Sequence, residues 1–477
     1  VTVGYPSSYS RYADTYRWVG YRRAIILCLF ILVFLVICLM QFNIPYDFIE
    51  PWAGRDRLPY YSIEVSRIYR SNLLIPSVDF GSMWEFWPLF ESLHIALWSL
   101  YVLSLIFVAS RINRIWLWIS IVLLVLTATI TPPLFSTDVF YYGISGESLA
   151  LHGLNPYLTV PADLPNSPLL PFNYWIDLKA VYGPLWTSLS ALVILITGNS
   201  PFAASMGFKL LGGLSVLAIA YLIWQLLRNS ESRIFATALF AWNPLVLFEG
   251  PANAHLDAFV GLLVILGLFA IYKHKSYLTG WILLVASFLT KFTTAPLLMI
   301  NFVSQIKMEI SRNRLKRIFL LTGTFIFLVA VTYLPYWQGK AFPAFLDRQR
   351  LFVTGFVPLL VRDQVLRYTA PFYDFDKAYY FSALASEVGV LLLILWVLLQ
   401  SFVIYRDKKT CLEKEAFAWG STMSLLPMLF LTAYPWYLIP GFALLAISWN
   451  ERYRKYIALL YALGSFWWLW WTILMPI

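Results

Sequence analysis

Apolar runs of helical length recur along the chain, each closed by Pro, Gly or a group of charges. They fall at 24–42, 94–110, 115–130, 209–227, 234–248, 258–272, 278–289, 295–303, 318–334 and 381–405, then on either side of Tyr434-Pro435-Trp436-Tyr437, and last at 456–474. The runs are continuous rather than alternating. They read as helices crossing a bilayer of roughly 30 Å, not as strands of a transmembrane barrel. The pattern predicts an all-α polytopic membrane protein of about thirteen spans. The run at 24–42 is too long for a signal-peptide core and has no small-residue cleavage site, so it reads as an uncleaved anchor.

The charges between the runs give the orientation. Arg11, Arg17, Arg22 and Arg23 precede the first run, Arg111 and Arg114 follow the second, and Lys307, Arg312, Arg314, Lys316 and Arg317 form a later basic loop. Placing these inside puts the N-terminus in the cytoplasm and the long segments 43–91, 131–208 and 335–380 outside. A shorter apolar run ending at Thr197 is placed along the interface. Were it a span, Arg228 and Arg233 would lie outside.

Composition agrees. Hydrophobic residues make up 60% of the 477 and charged residues 13%, far from a soluble domain. The net charge of +10 follows from topology and does not indicate nucleic-acid binding, because the aromatics lie in or beside the apolar runs. The three cysteines, Cys28, Cys38 and Cys411, give no disulfide framework. The four histidines form no zinc-spaced cluster. No metal or cofactor is expected.

Candidate chemistry gathers at the outer ends of the runs. Ser136-Thr137-Asp138-Val139-Phe140-Tyr141-Tyr142 follows the third run and its breaker Thr131-Pro132-Pro133. Asp138 is either a base at the membrane surface or the cap of a short helix at 138–151. Tyr141 and Tyr142 lie near it at helical spacing, as substrate contacts or as interfacial aromatics. Glu147 reads as solvated or structural. Asn253-Ala254-His255-Leu256-Asp257 ends the fifth run, where Asp257 and His255 serve a site or merely cap and tie a loop. Lys291 interrupts a pair of short runs and either snorkels to headgroups or meets a phosphate. Lys209, Arg348, Arg350 and Arg362 are further cations on that side. Ionisable groups near hydrocarbon are costly and usually paired or functional.

In order along the chain stand Asp138-Val-Phe-Tyr-Tyr with Gly153-Leu-Asn-Pro-Tyr157, Tyr182-Gly-Pro-Leu-Trp186, Asn243-Pro-Leu-Val with Ala254-His-Leu-Asp257, and Pro435-Trp-Tyr437. By these landmarks the chain, from about residue 115 on, resembles the GT-C superfamily of membrane glycosyltransferases. The pattern is nearest to that of polyprenol-phosphate-mannose-dependent α-1,6-mannosyltransferases. The resemblance implies a GT-C-type fold in which 1–114 adds two spans, 115–335 is the conserved module with its catalytic loop at 131–208, and 336–477 holds the late loop and last helices. It implies that Asp138 is the catalytic carboxylate and Asp257 the second acidic position.

It further implies inverting transfer of a sugar, mannose by preference, from a polyprenyl-phosphate co-substrate to a hydroxyl of a glycan, glycolipid or protein on the outer face of the plasma membrane. Tyr141, Tyr142, Tyr182, Trp186, Lys209, His255, Lys291, Arg348 and Arg350 are the expected substrate contacts. A transporter or flippase of a lipid-linked sugar, or a non-catalytic subunit of a membrane assembly, are the rival readings.

Overall fold

A computed structural model describes residues 8–44, 58–134, 136–309, 311–338, 354–407 and 411–471. Among these the regular structure is helical throughout, with no strand, and the protein is an all-α polytopic membrane protein. Six helical segments are long and apolar enough to cross a membrane: Tyr21–Gln41, Trp84–Ala109, Pro201–Leu226, Asp257–His274, Arg312–Tyr336 and Val388–Arg406. The pair Arg233–Ala241 and Pro244–Ala252 makes a seventh if counted as one span bent by 55°. Four more apolar helices, Arg114–Ile130, Pro184–Thr197, Tyr277–Thr290 and Pro435–Ile447, are shorter.

Several boundaries depart from the sequence pattern, each for a local reason. The second long helix, α3 (Met83–Ser104), starts well before residue 94, because Ser82 and Glu85 cap it reciprocally and Trp84, Phe86 and Trp87 extend its apolar face. A turn of π-helix, Leu105–Ala109, continues it. The run at 234–248 is not one helix. It is α8 (Arg233–Ala241), then α9 (Pro244–Leu247) and the π-helical turn Phe248–Ala252. Pro244 cannot donate to the ladder, and Asn243 caps the restart by accepting from the Val246 N–H. The run at 381–405 divides at Glu387 into Phe375–Ser386 and Val388–Arg406.

The core forms where α7 (Pro201–Leu226), α10 (Asp257–His274) and Leu438–Ile447 pack around the broken pair. Trp242 is fully buried and donates from Nε1 to Ser120 Oγ at 3.0 Å, tying the break to α4 (Arg114–Ile130). A Cβ on Gly212 of α7 would stand 2.4 Å from the Gly250 carbonyl oxygen, so only glycine permits this approach. The close packing fixes the short segment 248–257, which carries three of the ionisable groups described next.

Candidate active site

Helix α4 ends at Thr131-Pro132-Pro133, and a new helix, α5 (Asp138–Ala150), begins at right of the break in sequence after Thr137. Ser136 Oγ accepts the Asp138 N–H at 3.2 Å, so the Asp138 side chain is not needed as a cap. It turns instead toward other elements. Oδ1 accepts from Trp175 Nε1 at 3.1 Å, while Oδ2 accepts from the Tyr142 and Tyr182 hydroxyls at 3.4 and 3.3 Å. Nδ1 of His255 lies 3.5 Å from Oδ2. Asp138 is therefore contacted from its own helix, from the loop after it and from the turn before α10.

His255 is held by an unusual backbone. After the π-helical turn, Ala254 takes a left-handed conformation with φ 58°, and the His255 N–H reaches back to the Glu249 carbonyl at 2.9 Å. A non-glycine residue pays for such a φ unless its surroundings compel it. The imidazole is fully buried. Nε2 lies 3.2 Å from Glu249 Oε2, and the ring stacks on Trp436 with centroids 3.9 Å apart and planes 11° from parallel. Tyr434 stacks on the far face of Trp436 at 4.6 Å. Neither ring nitrogen makes a well-aligned hydrogen bond, so its carboxylate contacts are chiefly ionic.

Burial alone would push the Asp138 carboxyl up. The adjoining His255, the Trp175 N–H and the Lys291 charge outweigh it and hold Asp138 below the ordinary carboxylate value. Burial would likewise push His255 down, but Asp138 and Glu249 raise it to about 9. Tyr142 and Tyr182 are pushed well up by burial and by the Asp138 charge, so both stay protonated as donors.

A second ion pair adjoins the first group. Lys291 caps the end of α11 (Tyr277–Thr290), and its Nζ reaches both oxygens of Asp257, at 2.9 and 2.7 Å. The ammonium sits 3.3 Å from the centroid of the Tyr437 ring. Gly183 brings the Tyr182 loop to this end of α11. A Cβ there would stand 2.0 Å from the Leu289 carbonyl oxygen, and the Gly183 N–H donates to Thr290 at 3.0 Å. The Gly153-Leu-Asn-Pro-Tyr157 landmark supports the same loop. Tyr157 donates its hydroxyl to the Tyr182 carbonyl at 2.8 Å, and Asn155 Nδ2 donates to the Tyr336 carbonyl at 2.7 Å.

The structure thus brings Asp138, Tyr142, Tyr182, His255, Asp257 and Lys291 together. Tyr141 and Trp186 lie buried beside them. Tyr141 donates to the Lys179 carbonyl at 2.5 Å, and Trp186 packs against Tyr142, Phe208 and Phe259. Neither presents an open face for a sugar. Lys209 is fully buried and donates to the carbonyls of Thr131 and Ala252, fastening α4 and the broken pair to α7. Arg348 and Arg350 lie outside the described residues. Glu147 is buried, not solvated, and accepts from Ser167 and Asn199.

From the sequence, Glu249 stands with Asp138, His255, Asp257 and Lys291 among the ionisable groups at the outer ends of the apolar runs, without a role of its own, and Trp175, Tyr434, Trp436 and Tyr437 have none. The Pro435-Trp-Tyr437 landmark signalled the last two. Nothing local marked Trp175. Among the described residues, no group of three or more His, Cys, Asp or Glu is arranged to hold a metal ion.

Residues 86–308 match the model of a family described as alpha-(1->6)-mannopyranosyltransferase, N-terminal domain, and these residues include Asp138, Trp175, Tyr182, Glu249, His255, Asp257 and Lys291. The chain resembles the alpha-(1->6)-mannopyranosyltransferases. A probable alpha-(1->6)-mannopyranosyltransferase of Mycolicibacterium smegmatis is 28% identical over 166 residues, covering 33% of this chain and 29% of that protein. An alpha-(1->6)-mannopyranosyltransferase of Mycobacterium tuberculosis is 27% identical over 146 residues, 29% of this chain and 24% of that protein. Alpha-(1->6)-mannopyranosyltransferase B of Corynebacterium glutamicum is 27% identical over 147 residues, with the same coverage. The matched stretch thus spans less than a third of each of these relatives. No solved structure matches the chain.

Proposed function

We propose that this protein is an inverting mannosyltransferase that moves mannose from a polyprenyl-phosphate donor to an acceptor hydroxyl, with Asp138 as general base. The reading rests above all on one observation. An ionised carboxylate, gripped by Trp175, Tyr142 and Tyr182, stands beside a buried Lys291–Asp257 pair in a chain similar to mannopyranosyltransferases.

In this reading the acceptor oxygen attacks the anomeric carbon as its proton passes to Asp138. The bond from that carbon to the phosphate oxygen breaks, and polyprenyl phosphate leaves with the electron pair. The leaving group is already an anion and needs no strong acid. A cation beside it suffices, and Lys291 is the one nearest to hand. Tyr174, Trp175, Tyr434 and Trp436 keep part of their surface open around Asp138, which suits them, rather than the buried Tyr141 and Trp186, to contact a sugar. The donor tail lies among the membrane helices, and the site opens to the outer face of the plasma membrane. Acceptors of this class are glycans, glycolipids or proteins.

The bent pair Arg233–Ala241 and Pro244–Ala252 is the kind of interrupted helix found in transporters of charged substrates, and it favours a lipid-linked-sugar flippase as second reading. Purified protein with radiolabelled polyprenyl-phosphate mannose and a mannan acceptor decides between them. Formation of an alkali-stable glycosidic bond supports transfer. Movement of labelled lipid across proteoliposomes with no such bond supports the flippase.

A further inference from the structure

The contact between Asp138 and His255 does not end at the imidazole. Glu249, buried in the π-helical turn, faces the opposite nitrogen at 3.2 Å. Its Oε1 accepts from Trp468 Nε1 at 2.5 Å and its Oε2 from Asn253 Nδ2 at 2.9 Å. A carboxylate this deep needs a cation, and His255 is the one in contact with it. We propose that Glu249 is a positioning residue: through His255 it keeps an imidazolium against Asp138, which holds the base ionised and fixed in direction. The inference rests on the reading of Asp138 as base.

The geometry carries it. Both ring nitrogens face carboxylate oxygens and have no other partner. A neutral imidazole has one N–H and one lone pair, so it would turn that lone pair on an acceptor-only carboxylate. An imidazolium presents a donor to each side. The Trp436 face, 3.9 Å from the ring, favours the cation as well. Other charges around the group do not replace it. Tyr142, Tyr182 and Trp175 face Asp138 as neutral donors, Trp436, backed by Tyr434, covers the imidazole, and Lys291 is engaged by both oxygens of Asp257. The π-helical turn and the left-handed Ala254 have a use in this arrangement: they fold the chain back so that Glu249 and His255, six residues apart in sequence, lie side by side in space.

The test uses the full chain in detergent with ¹⁵N-labelled histidine. The chain has four histidines, and His255→Gln identifies the resonance. In the wild type, His255 is expected to be an imidazolium at pH 7.5. In Glu249→Gln its midpoint should fall by about one unit or more, the effect of withdrawing a charge at this range, and the alkaline limb of kcat/KM, measured with polyprenyl-phosphate mannose, should move to lower pH with it, because Asp138 loses its cation when His255 gives up its proton. A neutral His255 in the wild type overturns the proposal, and that arm needs no variant to fold. An unshifted imidazole and alkaline limb in a folded Glu249→Gln, with Asp138→Asn inactive, overturns the relay alone. Undiminished turnover in Asp138→Asn removes the base and the relay with it.

Discussion

Replacing Lys291 by Met removes the ammonium and leaves the Asp257 carboxylate, with a side chain only 2% exposed, without its cation. Breaking a buried ion pair by deleting one partner costs about 3–5 kcal/mol. Losing the cation from the Tyr437 face, 3.3 Å away, adds up to about 2 kcal/mol. Asp257 opens α10, and the partial positive charge of that helix end returns up to about 2 kcal/mol. The net cost expected is about 4 kcal/mol. Removing both charges, with Asp257→Leu beside Lys291→Met, leaves no buried ion and should return to within about 1 kcal/mol of wild type. Thermal or SDS unfolding of the four proteins of the cycle in detergent measures the coupling. A Lys291→Met protein as stable as wild type, or a double variant whose loss is the sum of the singles, would refute the reasoning. The recovered double variant should still fail to transfer mannose, because the phosphate has lost its cation.

His255 gives a pH dependence of known sign. Its folded value is raised, so its contribution to stability is complete below its ordinary value of 6.5 and is lost as pH climbs through about 9. That displacement is worth about 3 kcal/mol, and His255→Gln should flatten the alkaline arm of a melting-temperature profile. Gly183→Ala places a methyl against the Leu289 carbonyl and should cost about 1–3 kcal/mol, lowering turnover by displacing Tyr182 from Asp138. Lys209→Met abandons two buried carbonyls, so the yield of folded protein should fall while KM for the lipid donor holds in what survives. A specific rise in that KM would instead place Lys209 at the donor.

The class of fold was legible because a bilayer demands long unbroken apolar segments, and composition alone reveals them. Asp138, His255, Asp257 and Lys291 could be picked out because each stands where an apolar run stops, a position with few innocent uses. Pairings between them could not be read, since Lys291 meets Asp257 across 34 positions of chain and Asp138 meets Trp175 across 37. Tyr141 and Trp186 misled for the opposite reason. An aromatic beside a motif looks the same in sequence whether its ring faces a cleft or a core. The run at 234–248 reads as a plain span because nearly all its residues are apolar, yet Asn243-Pro244 breaks it, and Glu249 stands in the π-helical turn that follows the break.

Transfer by Asp138→Asn tests the central assignment most directly. The variant keeps the shape and, through its carbonyl oxygen, the Trp175 contact, while its amide NH2 meets Tyr142 and Tyr182 as a donor, and it cannot take up a proton. Purified in the same detergent, with the same melting temperature as wild type and with polyprenyl-phosphate mannose and a mannan acceptor, it should release no polyprenyl phosphate above background. Wild-type release of polyprenyl phosphate together with new glycosidic bonds would contradict the assignment.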